Sequence, residues 1–172
     1  TPALTISEPG LIARLRPGNT VLIDDGKIAA AVVARDGHGV LLEVRTARAK
    51  GLKLKVEKGV NLPGQELDLP PLTAKDLQDL DFVARHADIV GYSFVQRPED
   101  VALLANELAR RRGAALPQPL MLKIETPLAV KNLPRLLIAA GGRAPVAVMI
   151  ARGDLALEVG ADAHDRVTPV PD

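Results

Sequence analysis

The segment at residues 120–142, LMLKIETPLAVKNLPRLLIAAGG, decides the fold class of this chain. It begins with a short apolar run, LMLKIE, that ends in charge, as is typical of a buried strand. Apolar residues at helical spacing follow, and a pair of glycines ends the pattern: Leu133, Leu136, Leu137, Ala140 and Gly141–Gly142. The segment predicts a strand followed directly by a helix.

The same strand–helix unit recurs on both sides of this segment. Thr73 opens an amphipathic helix of about 13 residues with a capping-box pattern. Asp88–Val95 is an apolar run ahead of Pro98, which suits a first helical position. Val146–Ala151 is a third run and ends in Arg-Gly-Asp at 152–154. This alternation of apolar strands with helices predicts a parallel sheet covered by helices.

Two architectures share this alternation, the doubly wound sheet and the (β/α)₈ barrel. A closed barrel takes about 250 residues, whereas the whole chain has 172. A barrel interpretation therefore implies that most of the barrel lies outside this sequence. The chain also begins at Thr1 without Met or a signal segment, which we interpret as a piece of a longer protein.

The first 60 residues have a different pattern, with short apolar runs separated by turns. Asp24-Asp25-Gly26 lies between the run Val21–Ile23 and a second run that begins at Lys27. Asp-Gly between apolar runs is a strong hairpin signal. A third run, Val40–Val44, follows another Asp-Gly. We expect a small antiparallel β unit here.

The amino-acid composition argues against several functional classes of protein. The chain has 22 Lys and Arg against 21 Asp and Glu, a net charge of +1, which argues against a nucleic-acid partner. Hydrophobic residues make up 47% of it, and no apolar run approaches the roughly 18 residues that a membrane span needs. There is no cysteine, so thiolate chemistry is excluded and a cytoplasmic location is expected.

Charged residues collect where the three predicted strands end. Parallel strands bring their carboxyl ends to one edge, where α/β proteins place their sites. Glu125 and Asp154 would supply the carboxylate oxygens that Mg²⁺ prefers. Lys123 lies two residues before Glu125 and points to the same side of the strand, where its ammonium could stabilise oxyanion charge. Ser93, Arg152 and Gly153 end the neighbouring strands. The alternative is a ring of salt bridges that only closes the end of a barrel.

Other common sites lack their sequence patterns. The chain contains neither GxxxxGK[ST] nor a GxGxxG after a strand. The stretch GYSFV at 91–95 lacks the second glycine of a nucleophile elbow. Neither of those nucleotide sites nor a hydrolase triad is predicted.

Five stretches together resemble pyruvate kinase, in the order and approximate spacing of that family: KGVNLPG (58–64), LTAKDLQDLDF (72–82), SFVQ (93–96), KIE (123–125) and MIARGDLALEV (149–159). VLIDDGKI (21–28) is similar to part of the family's small lid domain. The resemblance implies an α/β fold: a partial (β/α)₈ TIM barrel with an inserted small antiparallel β-barrel lid. Residues 1–62 would be part of the lid, and residues 63–172 the central strand–helix units of the barrel.

The resemblance also implies roles for the residues at the strand ends. Glu125 and Asp154 would be ligands of Mg²⁺ (or Mn²⁺). Lys123 would be the catalytic cation that faces the transferring phosphoryl group and the enolate oxygen. Together with Lys123 and Asp154, Arg152 and Gly153 would bind the substrate, with backbone amides meeting the pyruvate carboxylate.

Two further residues take roles from the resemblance. Ser93 would lie near a K⁺ ion, and Asp25 would be the lid aspartate that swings over the nucleotide. The implied reaction is Mg-dependent phosphoryl transfer from phosphoenolpyruvate to ADP, giving pyruvate and ATP in glycolysis, in a cytoplasmic homo-oligomer with no nucleic-acid or membrane partner. The family's Arg-x-Asn-x-Ser motif and remaining barrel strands are absent from the 172 residues, so the chain alone is expected to be inactive.

Two alternatives stay open. One is a non-catalytic pyruvate-kinase-like module for metabolite binding or assembly. The other is a different metal-dependent barrel enzyme acting on a pyruvate-derived enolate. Thr126, Ala129 and Ala156 stand where the family usually has Asn, Gly and Gly, which slightly favours the first alternative. The Asp-Asp-Gly hairpin and KGVNLPG argue against the second.

Overall fold

The computed structural model describes residues 3–7, 9–47, 51–64, 70–113 and 117–159. The chain divides into two units, Thr1–Leu67 and Asp68–Asp172. The polar tail from residue 161 lies outside the described residues. In the part of the chain that the structure describes, no helix has the length and apolar character needed to cross a bilayer.

The first unit contains a four-stranded antiparallel sheet in the order β3-β2-β1-β4. Its elements are α1 (Pro9–Ile12), β1 (Thr20–Ile23), β2 (Ile28–Arg35), β3 (Val40–Thr46) and β4 (Val60–Asn61). Ile23 lies opposite Ile28, which confirms the predicted hairpin around the Asp-Asp-Gly turn. The sequence pattern predicted neither α1 nor the pairing of β4 with β1.

One cluster of apolar side chains forms the core of the first unit. Alternate residues of β2 are buried from Ile28 to Val32, because successive side chains of a strand point to opposite faces. Ile28 and Val32 pack with buried residues from the other elements and turns of the unit: Leu11, Leu15, Val21, Ile23 and Leu62. This packing holds the hairpin that carries Asp25.

The second unit contains a three-stranded parallel sheet in the order β5-β6-β7, as predicted. Its elements are α2 (Ala74–His86), β5 (Val90–Tyr92), α3 (Pro98–Arg112), β6 (Leu120–Ile124), α4 (Pro127–Gly141), β7 (Val146–Ile150) and α5 (Arg152–Val159). Strand order follows chain order, so α3 and α4 each connect neighbouring parallel strands. The fold of this unit is therefore of the α/β type.

The predicted helix starts are confirmed. Thr73 Oγ1 accepts from the Asp76 amide at 3.1 Å, and the Thr73 amide donates to Asp76 Oδ2 at 2.8 Å. These two bonds form a capping box, which satisfies amides that have no partner within the helix. Pro98 is the first residue of α3, where a missing N–H costs nothing.

Helices pack on one face of the parallel sheet. Leu120, Leu122 and Ile124 of β6 are buried there, together with Leu136 of α4. Leu137 was expected on the same helix face but is 37% exposed. Successive helical residues lie about 100° apart, and Leu136 takes the buried position. Met121 and Lys123 alternate with the buried residues of β6 and are only partly buried.

Candidate functional site

The carboxyl ends of β5, β6 and β7 meet at one edge of the parallel sheet. Tyr92 is in register with Leu122, and Ile124 is in register with Ile150. Residues that directly follow these strands are therefore neighbours. This is the edge at which α/β proteins commonly place their sites.

An ion pair joins two charged residues at the end of β6. Lys123 Nζ lies 2.7 Å from Glu125 Oε1. The pairing follows from strand geometry, because residues two apart point to the same face. The Glu125 side chain is 1% exposed and that of Lys123 is 28% exposed. The carboxylate of Glu125 is therefore buried, whereas water can reach the ammonium group of Lys123.

The turn after β5 contacts both members of this ion pair. Lys123 Nζ donates to Ser93 Oγ at 2.7 Å. The main-chain amide of Phe94 donates to Glu125 Oε2 at 2.5 Å. These contacts define a strand-end cluster of four residues: Ser93, Phe94, Lys123 and Glu125. The structure thus brings together three predicted site residues, Ser93, Lys123 and Glu125.

Sequence reasoning missed Phe94. Its contribution is a backbone N–H, which every residue except proline carries, so no side-chain type marks it. Its backbone is unusual, with φ of 52° in the left-handed region. A bulky side chain rarely adopts this region, and no local sequence pattern predicted it.

Arg152, Gly153 and Asp154 form the start of α5, whereas the sequence analysis placed them at a strand end. The Ala151 amide donates to Ile124 O at 3.1 Å, so sheet pairing continues to the residue before the helix. Leu155 is fully buried and anchors α5. Asp154 in the first turn is favoured by the helix dipole. Burial of Leu155 and the position of Asp154 in the first turn both favour a helix at this point of the chain.

The surroundings of the first three residues of α5 differ from one another: Arg152, Gly153 and Asp154. Arg152 is exposed and Asp154 is half-buried. A Cβ built on Gly153 would meet no atom within 4 Å, so packing among the described residues does not require a glycine there. Within the described part of the chain, neither Arg152 nor Asp154 forms a hydrogen bond or ion pair with the strand-end cluster.

Asp25 belongs to the first unit, where it is exposed in the turn between β1 and β2. Its neighbour Asp24 is 8% exposed and pairs with Lys58 at 2.9 Å and with Lys27 at 3.0 Å. These contacts, chiefly that with Lys58, hold the pKa of Asp24 below its usual range. Asp24 in turn raises the pKa of Lys58. The turn that carries Asp25 is therefore held by ion pairs, which sequence reasoning did not find because Lys58 is distant in the chain.

The family model described as the pyruvate kinase barrel domain matches residues 1–167 of this chain. The chain belongs to the pyruvate kinase family. A pyruvate kinase from Corynebacterium efficiens is 37% identical over 145 residues, which are 84% of this chain and 28% of the relative. One from Mycobacterium tuberculosis is 38% identical over 143 residues, 83% of this chain and 28% of the relative.

A third relative, a pyruvate kinase from Clostridium acetobutylicum, is 34% identical over 156 residues, 90% of this chain and 31% of the relative. The chain therefore spans less than a third of the length of these pyruvate kinases.

Two residues that stand where the resemblance expects Asn and Gly have clear structural roles. Thr126 is the N-cap of α4, and its Oγ1 accepts from the Ala129 amide at 3.2 Å. Threonine is among the residues that commonly cap helices in this way. Ala129 is fully buried in the core of the second unit. Both residues are therefore compatible with the backbone that follows Glu125.

The donor atoms at this edge are carboxylate oxygens, which suit a hard cation. An ionised carboxylate has about four acceptor sites, and Glu125 uses one oxygen for Lys123 and the other for Phe94. The described residues contain no group of three or more His, Cys, Asp or Glu that could hold a metal ion. Mg²⁺ commonly takes only one or two carboxylates and completes its shell with substrate oxygens and water. The chemistry of a carboxylate such as that of Glu125 is compatible with such a site.

Proposed function

We propose that this chain is the metal-binding sector of a pyruvate kinase, which transfers a phosphoryl group from phosphoenolpyruvate to ADP and gives pyruvate and ATP in glycolysis. The observation that carries the proposal is the ion pair of Lys123 with the buried carboxylate of Glu125. It lies at the carboxyl edge of a parallel sheet in a member of this family. A buried ion pair is a poor way to gain stability, because desolvation offsets its Coulomb energy. A functional reason for the pair is therefore favoured.

In this proposal Glu125 and Asp154 hold Mg²⁺ or Mn²⁺. The bound ion would supply positive charge to the substrate oxygens. Glu125 presents an oriented carboxylate, since each of its oxygens already accepts one hydrogen bond. Asp154 would add the second carboxylate from the first turn of α5.

Lys123 would be the catalytic cation. An ammonium has three donors, of which one points to Glu125 Oε1 and one to Ser93 Oγ. The third is left for an oxygen of the transferring phosphoryl group or of the enolate. Positioned charge of this kind is the main protein contribution to phosphoryl transfer. The partial exposure of Lys123 allows a substrate to approach it.

Arg152 and Gly153 would bind the substrate at the start of α5. The amides in the first turn of a helix have no partner within the helix and attract anions. The open space beside Gly153 leaves room for a carboxylate to approach the backbone. Asp154 shares this turn, so substrate and metal would be bound by neighbouring residues.

The remaining roles concern the ions and the larger architecture. Ser93 would lie near K⁺, and Asp25 would be the lid aspartate for the nucleotide. Residues 63–172 would form the central strand–helix units of a (β/α)₈ barrel, and residues 1–62 part of the lid. Val148 and Met149 on the edge strand β7 are 38% and 45% exposed. Strands of a complete barrel are buried on both faces, so further strands of a longer protein would cover them.

Most of the barrel would be supplied by sequence outside the 172 residues. We therefore expect the chain alone to be inactive. In the proposed function, the complete protein acts as a cytoplasmic homo-oligomer.

The test is turnover of the complete protein that contains this chain. Formation of pyruvate from phosphoenolpyruvate and ADP is followed by coupling to lactate dehydrogenase. Glu125→Gln should lower kcat by at least about 100-fold, as loss of one preorganised electrostatic group typically does. Glu99→Gln is the matched control, since Glu99 is exposed in the first turn of α3.

Unchanged turnover in Glu125→Gln would contradict the proposal. Binding of phosphoenolpyruvate without any turnover by the unaltered protein would favour the non-catalytic alternative.

A further inference from the structure

Packing accounts only in part for the backbone conformation of Phe94. Its φ of 52° lies in the left-handed region, where the Cβ of an ordinary residue approaches the following carbonyl oxygen. The Phe94 side chain is 47% exposed, so burial of the ring offsets this strain incompletely. Strained residues of this kind occur preferentially at functional sites, where the surrounding structure holds them.

The strained residue places its amide against the buried carboxylate. Phe94 N lies 2.5 Å from Glu125 Oε2. The residue before it acts on the other member of the ion pair, because Ser93 Oγ accepts from Lys123 Nζ at 2.7 Å. One two-residue turn therefore holds both charged groups of the strand-end cluster.

These contacts fix the orientation of the Glu125 carboxylate. Lys123 binds Oε1 and the Phe94 amide binds Oε2, so rotation of the carboxylate would break one charge-assisted hydrogen bond. Without the amide, both oxygens could turn toward the ammonium of Lys123. The amide keeps Oε2 apart from Lys123 and so limits competition between the ammonium and a metal ion.

We propose that Phe94 is a positioning residue, whose main-chain amide orients Glu125 for a divalent cation. The inference rests on the proposed function, in which Glu125 is a metal ligand. It adds that affinity for the cation depends on a backbone hydrogen bond from the turn after β5, as well as on the carboxylates.

The test replaces the amide at position 94 by an ester in the complete protein that contains this chain. Incorporation of phenyllactic acid in place of Phe94 removes the N–H and keeps the side chain. Mn²⁺ is the probe, because electron paramagnetic resonance measures the free ion directly during a titration. We expect the ester to weaken Mn²⁺ binding about tenfold, which corresponds to about 1.4 kcal/mol.

Two controls separate orientation from general damage. Phe82 is the other phenylalanine of the chain and is 66% exposed on α2. The same ester at Phe82 removes a helical amide and should leave Mn²⁺ affinity unchanged. Phe94→Gly keeps the amide and tolerates the left-handed backbone, so it should weaken Mn²⁺ binding less than the ester at position 94 does.

The outcomes distinguish this inference from the function on which it rests. If the unaltered protein binds Mn²⁺ no more tightly than Glu125→Gln, the proposed metal site is wrong. If Glu125→Gln weakens binding but the ester at position 94 does not, only the inference about Phe94 is overturned. An ester protein that melts earlier yet binds Mn²⁺ normally would show that the amide serves stability alone, and this too would overturn the inference.

A second measurement covers the case in which the ester protein does not fold. In protein labelled with ¹⁵N-phenylalanine, the Phe94 amide signal is assigned by its loss in Phe94→Tyr. Titration with Mg²⁺ should shift this signal in parallel with metal occupancy, and Glu125→Gln should abolish the shift. A signal that stays in place at saturating Mg²⁺ would overturn the inference.

Discussion

Replacement of Lys123 by methionine should destabilise the second unit, because Glu125 would keep its buried charge and lose its cation. The Glu125 side chain is 1% exposed. Breaking a buried ion pair by removing one partner costs about 3–5 kcal/mol. Lys123 is 28% exposed, so water can replace the ammonium in part. We therefore expect a loss of about 2–3 kcal/mol in the free energy of unfolding.

Urea unfolding of the 172-residue chain measures this loss. Tyr92 is the only tyrosine, the chain has no tryptophan, and Tyr92 is 5% exposed in the second unit. Tyrosine fluorescence therefore reports unfolding of the unit that contains the ion pair. Addition of Glu125→Gln to Lys123→Met removes the unpaired charge. The double variant should be more stable than Lys123→Met alone by about 1 kcal/mol or more, a coupling that a double-mutant cycle resolves.

Lys75→Met is the matched control. Lys75 pairs with Asp79 on the surface of α2, where the two side chains are 73% and 51% exposed. Exposed helical pairs contribute about 0.5 kcal/mol or less, so this variant should be nearly as stable as the unaltered chain. The reasoning is refuted if Lys123→Met costs no more than Lys75→Met and the cycle with Glu125→Gln is additive.

Two further predictions address α5 and the first unit. Gly153→Ala should stabilise α5 by up to about 1 kcal/mol, since glycine is unfavourable in helices and the added Cβ meets no atom within 4 Å. The same substitution should weaken phosphoenolpyruvate binding by the complete protein. A loss of stability in urea would contradict the first expectation. The pKa of Asp24 is lowered by Lys58 and Lys27, so its stabilising contribution is present above about pH 4 and is lost as the pH falls further. Asp24→Asn should therefore reduce the acid dependence of unfolding followed by far-UV circular dichroism, whereas an unchanged dependence would show that these ion pairs do not matter.

Local sequence rules predicted much of the second unit. Thr73 with Asp76, and Pro98 at a first helical position, marked two helix starts that the structure confirms. These features depend on residues a few positions apart, so a single sequence contains the relevant information. The same holds for the hairpin at Asp24-Asp25-Gly26, whose turn residues are adjacent in the chain.

Local rules failed where distant segments decide the outcome. The pattern treated Arg152, Gly153 and Asp154 as a strand end, but packing of Leu155 and pairing of Ala151 with β6 start a helix there. The sequence also gave no sign that Lys58 would reach Asp24, because β4 returns beside β1 only in the folded sheet.

The candidate site shows the same division. The sequence alone determined which residue types lie at the strand ends and that Lys123 and Glu125 point to the same face of the strand. It also contained the resemblance that pointed to the family. Tertiary structure alone decided that Glu125 is buried and that its second oxygen is held by the amide of Phe94. Side-chain spacing along one strand is a local property, whereas the burial of a carboxylate and the direction of a backbone N–H depend on how separate strands come together.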